Sequence, residues 1–409
     1  MKNLMRLALC TVMTVALLTG CSGKLALSGQ NTTADKDKIS TETVESNSRF
    51  AFDIFQQLNK EDVNRSIFIS PLSISTALTM TYQGAETTTR EAMAKALGYT
   101  GIEDEKLNES YRNLLRYLKR LDKKVELNIG NSLWIREGEA IKEDFLSVNR
   151  DIFDASATSM DFSKETAADQ INKWISDATK KKIEKMIDSP ISPNIVMYLI
   201  NAIYFKGDWT KQFDAKNTFD TPFYAGDGST PEVKMMSRNG KLEYGQGDGF
   251  KAVRLPYGSG KAAMYCILPA EAVSINDFVA DLDEVRWKAI KDSISERDEV
   301  QLRLPRFKLE YGIKNLNDSL TALGMGEAFS ETADFSGIRE GICISRVLHK
   351  AVIEVNEEGS EAAAATVVEM KETAAAEPLT FIADRPFVFI IADDETGTLL
   401  FMGKLYDVK

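Results

Sequence analysis

Apolar residues along this chain follow two periods, and the change between them predicts where helices give way to strands. Phe50, Ile54, Phe55 and Leu58 recur at helical spacing, which predicts an amphipathic helix over 46–59. The same period returns at Ile171, Trp174, Ile175 and Ala178 and runs on through Ile183, Met186 and Ile187, until Pro190 and Pro193 stop it. On that pattern Lys180, Lys181, Lys182 and Lys185 form a solvated helix face. Elsewhere the period is two. Val125, Leu127 and Ile129 alternate with polar residues and lead into Leu133-Trp134-Ile135, a strand with one buried face. Ile195 to Ile200 is a nearly unbroken apolar run, the pattern of a strand covered on both sides. Leu302 and Leu304 alternate with charge, while Phe387 to Ile391 and Leu399 to Met402 predict a hairpin across Asp393 to Gly397. Helical spacing dominates the first half and strand spacing the second, which predicts an α+β fold with helices packed on a large sheet.

One segment fits neither a simple helix nor a simple loop. From Gly359 on, positions 360, 362, 364, 366, 368 and 370 are Ser, Ala, Ala, Thr, Val and Met, whereas 361, 369 and 371 are Glu, Glu and Lys. Local propensity alone would allow an Ala-rich helix here. As a strand, however, the segment carries charge on one face only, so it could enter a sheet with its small face inward. It lies between strand-like runs at Val352 to Val355 and Pro386 to Ile391, and so long a connection inside a domain calls for a functional reason.

His349-Lys350-Ala351-Val352-Ile353-Glu354-Val355-Asn356-Glu357-Glu358-Gly359-Ser360-Glu361-Ala362-Ala363-Ala364 resembles the hinge signature of the serpins. The resemblance continues through Ser70-Pro71-Leu72-Ser73-Ile74, Gly84-Ala85, Asn201 to Trp209, Met235-Met236, Leu255-Pro256-Tyr257, Ile267-Leu268-Pro269 and Asp384-Arg385-Pro386-Phe387, in the family's order. It implies one serpin domain over 46–409, with large mixed β-sheets, about eight or nine helices and an exposed reactive-centre loop at about 359–380. It also implies function: a serine protease cleaves the loop, the freed side inserts into the main sheet, and the covalent acyl-enzyme is trapped.

In such a mechanism the hinge is Glu357, Glu358, Gly359, Ser360, Glu361, Ala362, Ala363, Ala364, Ala365 and Thr366, whose inward positions carry nothing that resists burial. The family pattern places Trp209, Arg306 and Glu357 together at the top of the sheet, the breach. It places Ser70, Ser73, Asn201 and His349 under its centre, the shutter. Counting fourteen residues on from Gly359 puts the reactive bond at Thr373-Ala374, and counting back from Pro386 gives Ala375. These small residues suit an elastase-type pocket, and Lys371 offers a second bait to trypsin-like or subtilisin-like proteases.

Composition adds limits. Of 409 residues, 44% are hydrophobic and 27% charged, enough for a large core, and a net charge of −11 argues against a nucleic-acid partner. Lys2 and Arg6 precede an apolar stretch from Leu7 to Leu18 that is too short to span a bilayer, and Leu18-Thr19-Gly20-Cys21 resembles a lipobox. Residues 1–20 then form a lipoprotein signal peptide and Cys21 the lipidation site. Residues 21–45 serve as a polar tether that holds a monomer at the cell envelope, on the outer membrane or cell surface. Cys266 and Cys343 lie in apolar runs and read as two separate buried thiols. His349 is the only histidine, so a two-histidine zinc site is impossible, and no Gly-x-Ser-x-Gly elbow accompanies it. The expectation is therefore an inhibitor and not an enzyme, with no metal and no cofactor. A non-inhibitory serpin acting as a surface binding protein is the alternative.

Overall fold

The structure is a computed structural model that describes residues 36–360 and 379–408. Its frame is the C-terminal hairpin, Phe387–Asp393 and Leu399–Leu405, in which every residue of both strands is buried. Apolar side chains on both faces of a strand require cover on both sides. A mixed nine-stranded sheet grows from this hairpin. Ile67–Ile69 flanks one side; on the other follow Ala262–Pro269, Phe250–Tyr257, Glu232–Gly247, Ser295–Pro305 and Leu379–Ile382, with Phe219–Pro222 paired to Glu232–Gly247. The last of these, Leu379–Ile382, runs parallel to Val300–Arg303.

A second layer contains Ala155–Met160, Val125–Arg136 and Met197–Asp208, with the short piece Gly359–Ser360 on the outer edge of the last. The remaining strands form two separate pairs, Phe307–Glu310 with Val352–Val355 and Lys314–Asn315 with Leu348–His349. Among the described residues no ladder joins Met197–Asp208 to the strands at 348–355, so this layer is parted down its middle.

Nine α-helices lie among the described residues. Pro71–Tyr82 packs against both Met197–Asp208 and Leu399–Leu405 and is almost wholly buried. Its start is set by Pro71 in the first turn and by Ser70, whose side chain accepts from the Ser73 amide. Thr76, Thr79 and Thr81 donate to carbonyls four residues back, which allows polar side chains into a buried helix.

Several expectations need correction. The first helix runs Thr41–Glu61, so the last residues of the expected 21–45 tether are helical and already pack: Thr43 and Val44 are buried. The helix over Ile171 stops at Ala178 because Lys180 and Lys181 take positive φ, 50° and 66°. Ile183, Ile187 and Ile191 beyond it still bury against Trp134 and Ile200, which preserves the apolar pattern without the helix. The lysines accordingly sit in a strap and not on a helix face, with Lys180 paired to Glu126 and Lys182 to Glu354. The run Ile195 to Leu199 is half-buried because one edge faces the parting. Cys266 is buried as expected, but Cys343 is exposed.

Candidate functional site: a parted sheet and its anchored hinge

The hinge is fastened at the top of the parting by backbone and side-chain bonds together. The Trp209 amide donates to the Glu358 carbonyl and the Phe213 amide to the Glu357 carbonyl, both at 2.8 Å. Trp209 Nε1 donates to the Asn356 carbonyl at 3.0 Å. Asn356 turns the chain by accepting from the Glu358 and Gly359 amides through Oδ1. Gly359 then pairs with Asp208 and Ser360 with Gly207, antiparallel. A Cβ on Gly359 would lie 2.1 Å from the Gly207 carbonyl oxygen, so only glycine allows this approach.

Arg306 and Glu357 meet here, and Trp209 is bonded to the adjoining Asn356 and Glu358. Arg306 Nε donates to Glu357 Oε1 at 2.7 Å, and Thr218 donates to the same carboxylate. Burial alone would raise the Glu357 pKa, but hydrogen bonds from Arg306 and Thr218 outweigh it and hold the carboxyl below its usual range. Arg306 is 43% exposed, which limits the pair to about 1 kcal/mol.

Under the centre, the Ser70 amide donates to His349 Nε2 at 3.1 Å, and the Ser70 hydroxyl donates to the Leu400 carbonyl at 2.7 Å. Because Nε2 accepts, the ring proton sits on Nδ1. Burial lowers the His349 pKa to about 4, so the ring is neutral. Asn201 donates to Asn131 Oδ1 at 2.7 Å and Asn131 to the Phe153 carbonyl at 2.6 Å. The Asn201 Oδ1 atom is buried without a partner.

Ser73, Asn201 and His349 line an apolar cavity of about 140 Å³ between Met197–Ile200 on one bank and Val347–His349 on the other. The site thus combines an unfilled slot, a strand edge without a ladder below Gly207 among the described residues, and a chain already paired at the slot's upper end. Glu361, Ala362, Ala363, Ala364, Ala365 and Thr366 of the hinge lie outside the described residues. So do Lys371, Thr373, Ala374 and Ala375 of the bait, and Cys21.

Sequence reasoning gave no role to Thr218, Asn131 or Tyr257. Thr218 and Asn131 carry no pattern that would single them out. Tyr257 was visible in Leu255-Pro256-Tyr257, and only its contacts were hidden.

A family profile described as serpin (serine protease inhibitor) matches residues 45–408. An uncharacterized serpin-like protein of Methanosarcina acetivorans is 32% identical over 98% of this chain and 98% of its own length. The leukocyte elastase inhibitor of Bos taurus is 33% identical over 88% of this chain and 97% of its own. Among solved structures, the thermophilic serpin tengpin in its native state matches with a TM-score of 0.82 and 31% identity, covering 93% of this chain and 96% of that one. The chain belongs to the serpin family.

Two outcomes follow from this geometry. Glu357→Lys sets two cations against each other at the top of the slot and should speed conversion of the monomer to latent or polymeric forms on warming about fivefold; an unchanged monomer half-life on native gels removes the pair from the site. His349 is buried neutral, with a folded pKa of about 4 against 6.5 in model compounds. Its contribution to stability is complete above pH 6.5 and is lost as pH falls toward 4, about 2 kcal/mol by pH 5. Urea melts at pH 7.5 and 5 should therefore show a smaller acid loss in His349→Gln than in wild type, and equal losses would rule out this histidine as the source.

Proposed function

We propose that this serpin is an inhibitor of serine proteases that acts as a suicide substrate, with an elastase-like enzyme as preferred target and trypsin-like or subtilisin-like ones as further possibilities. The observation that carries the reading is the Gly359–Ser360 ladder, formed beside a slot and a strand edge that no other described residue fills or pairs. Once a protease attacks Thr373-Ala374 and forms its acyl-enzyme, the residues after Ser360 would extend that ladder. Roughly ten residues gaining hydrogen bonds at about 0.5 to 1.5 kcal/mol each, together with filling of the cavity, supply the drive that drags the protease along. Small side chains at 360, 362, 364 and 366 let the strand enter without burying charge. The similarity to leukocyte elastase inhibitors and the small residues at 373–375 both favour an elastase. Cys21 would carry the lipid that holds the protein at the cell envelope as a monomer.

The test is a denaturing gel of the chain from Lys36 onward with pancreatic elastase at near-equimolar ratio. A band at the summed masses that survives boiling is expected, with a new N-terminus at Ala374. Thr366→Arg should abolish that band and leave only cleaved protein, since it would bury an unpaired charge. Cleavage without the band, also with trypsin and subtilisin, would turn the assignment to a non-inhibitory binding protein. For the anchor, full-length protein made in cells fed labelled palmitate should take up label, and Cys21→Ser should not; equal labelling overturns lipidation at Cys21.

A further inference from the structure

We propose that Tyr257 is a positioning residue for strand insertion: its buried hydroxyl receives the hydroxyl of Ser360 and thereby fixes the register in which the rest of the loop enters the sheet. This rests on the inhibitory reading above, which it deepens.

Tyr257 is the last residue of strand Phe250–Tyr257 and is fully buried. Its ring is held from several sides. It stacks on Trp209 at 4.5 Å with planes 12° apart and takes the edge of Phe205 at 5.0 Å. Gly207 supplies the bare backbone beneath it, because a Cβ there would lie 2.8 Å from Tyr257 Cδ1. A ring so enclosed has one place for its hydroxyl, and that place is 2.8 Å from Ser360 Oγ. Ser360 is itself 2% exposed, and among the described residues neither hydroxyl has another side-chain partner. Burial pushes the Tyr257 phenol far above its usual range, so it stays a neutral donor or acceptor at every physiological pH.

The consequence is one of register. A strand's side chains alternate, so a slip of one residue exchanges the faces of everything that follows. With Ser360 on Gly207 and its hydroxyl on Tyr257, a strand continuing from Ser360 would carry 362, 364 and 366, which are Ala, Ala and Thr, on its inner face. A one-residue slip would bring Glu361 to Tyr257 and bury an unpaired carboxylate there. The Tyr257 site therefore accepts a small hydroxyl and rejects the neighbouring charge. Insertion then begins from a nucleus of fixed register that forms before any protease arrives, and what remains after cleavage is propagation.

The experiment is a double-mutant cycle on Tyr257→Phe and Ser360→Ala, read as moles of inhibitor consumed per mole of elastase trapped. Tyr257→Phe keeps the ring and its stack on Trp209, so each single variant only leaves one buried hydroxyl without its partner. Each should raise the consumption about fivefold, and the double variant should be no worse than either single, because the bond is already lost in each. Singles without effect, or a double variant as poor as the product of the two singles, would overturn the proposal. Amide exchange at Gly359 and Ser360 in the uncleaved protein gives the same cycle without any protease: protection falls in each single variant and falls no further in the double. If wild type traps no protease while the exchange cycle shows this coupling, the inhibitory reading fails and the contact stands; if wild type traps elastase and neither cycle shows coupling, the contact fails alone.

Discussion

The constraint on which this structure turns is an edge of strand Met197–Asp208 that carries no ladder below Gly207 among the described residues. Sheet edges are normally paired, covered or blunted, because their backbone groups invite another strand. Here the edge borders an apolar cavity of about 140 Å³ and a histidine without charge. On the inhibitory reading, both the cavity and the edge would be satisfied by the same event, the arrival of one strand. The buried helix Pro71–Tyr82 supports the parting from below, and its Ser70 holds His349 of one bank while Ser73 faces the slot. The other bank is held through Asn201, Asn131 and the Phe153 carbonyl. Each side of the parting is thus fixed to the scaffold by a hydrogen bond of its own, so the slot is a defined site.

The motifs that could be read from the sequence are those in which residue type and position are both forced. Gly359 has no tolerable replacement against the Gly207 carbonyl, and the residues after it, as far as Lys371, keep their charges at odd positions, so that a strand there could turn a small uncharged face inward. Fully buried strands such as Phe387–Asp393 announce themselves by unbroken apolar runs. Irregular backbone is what the pattern hides. Ile183 and Ile187 kept helical spacing while the chain left the helix at Ala178, since burial selects apolar residues wherever the chain touches a core. A strap and a helix over the same sheet look alike in one dimension. Cys343 failed for a related reason: it lies with Ile342 and Ile344 at the rim of the cavity, on irregular backbone where even those isoleucines are only half-buried.

Lys404 could not have been anticipated at all. It is fully buried and donates to Asn59 Oδ1, Asn276 Oδ1 and the carbonyls of Asp62 and Val63. Burial lowers its pKa to about 8, yet the four acceptors give an ammonium group at the hairpin's edge a full set of partners. It ties the C-terminal hairpin to helix Thr41–Glu61, 345 positions away at Asn59, and to helix Ile275–Ala280, 128 positions away at Asn276. No local pattern records such a contact, because each partner alone is an ordinary surface residue type.

What keeps the slot open is then a question of magnitudes. A new ladder of roughly ten hydrogen bonds at about 0.5 to 1.5 kcal/mol each is worth several kcal/mol or more, whereas the Arg306–Glu357 pair offers about 1 kcal/mol. The contacts at the top of the sheet therefore cannot hold the strand out by energy; the chain's connectivity must. Ile382 pairs with Arg303, three residues along the chain from the Arg306 that holds Glu357, so both ends of the loop are fastened at the same end of the molecule. If residues 361–372 entered as a strand they would run about 40 Å down the sheet. Residues 373–378 could then reach back only about 20 Å to Leu379. Full insertion of the intact loop would thus require Leu379–Ile382 to leave its parallel ladder with Val300–Arg303 and its carbonyl contact with Lys251. On the inhibitory reading, a single cut after Thr373 would remove that requirement without altering any contact in the slot, so one peptide bond would guard the inserted state and the protease that breaks it would release the loop.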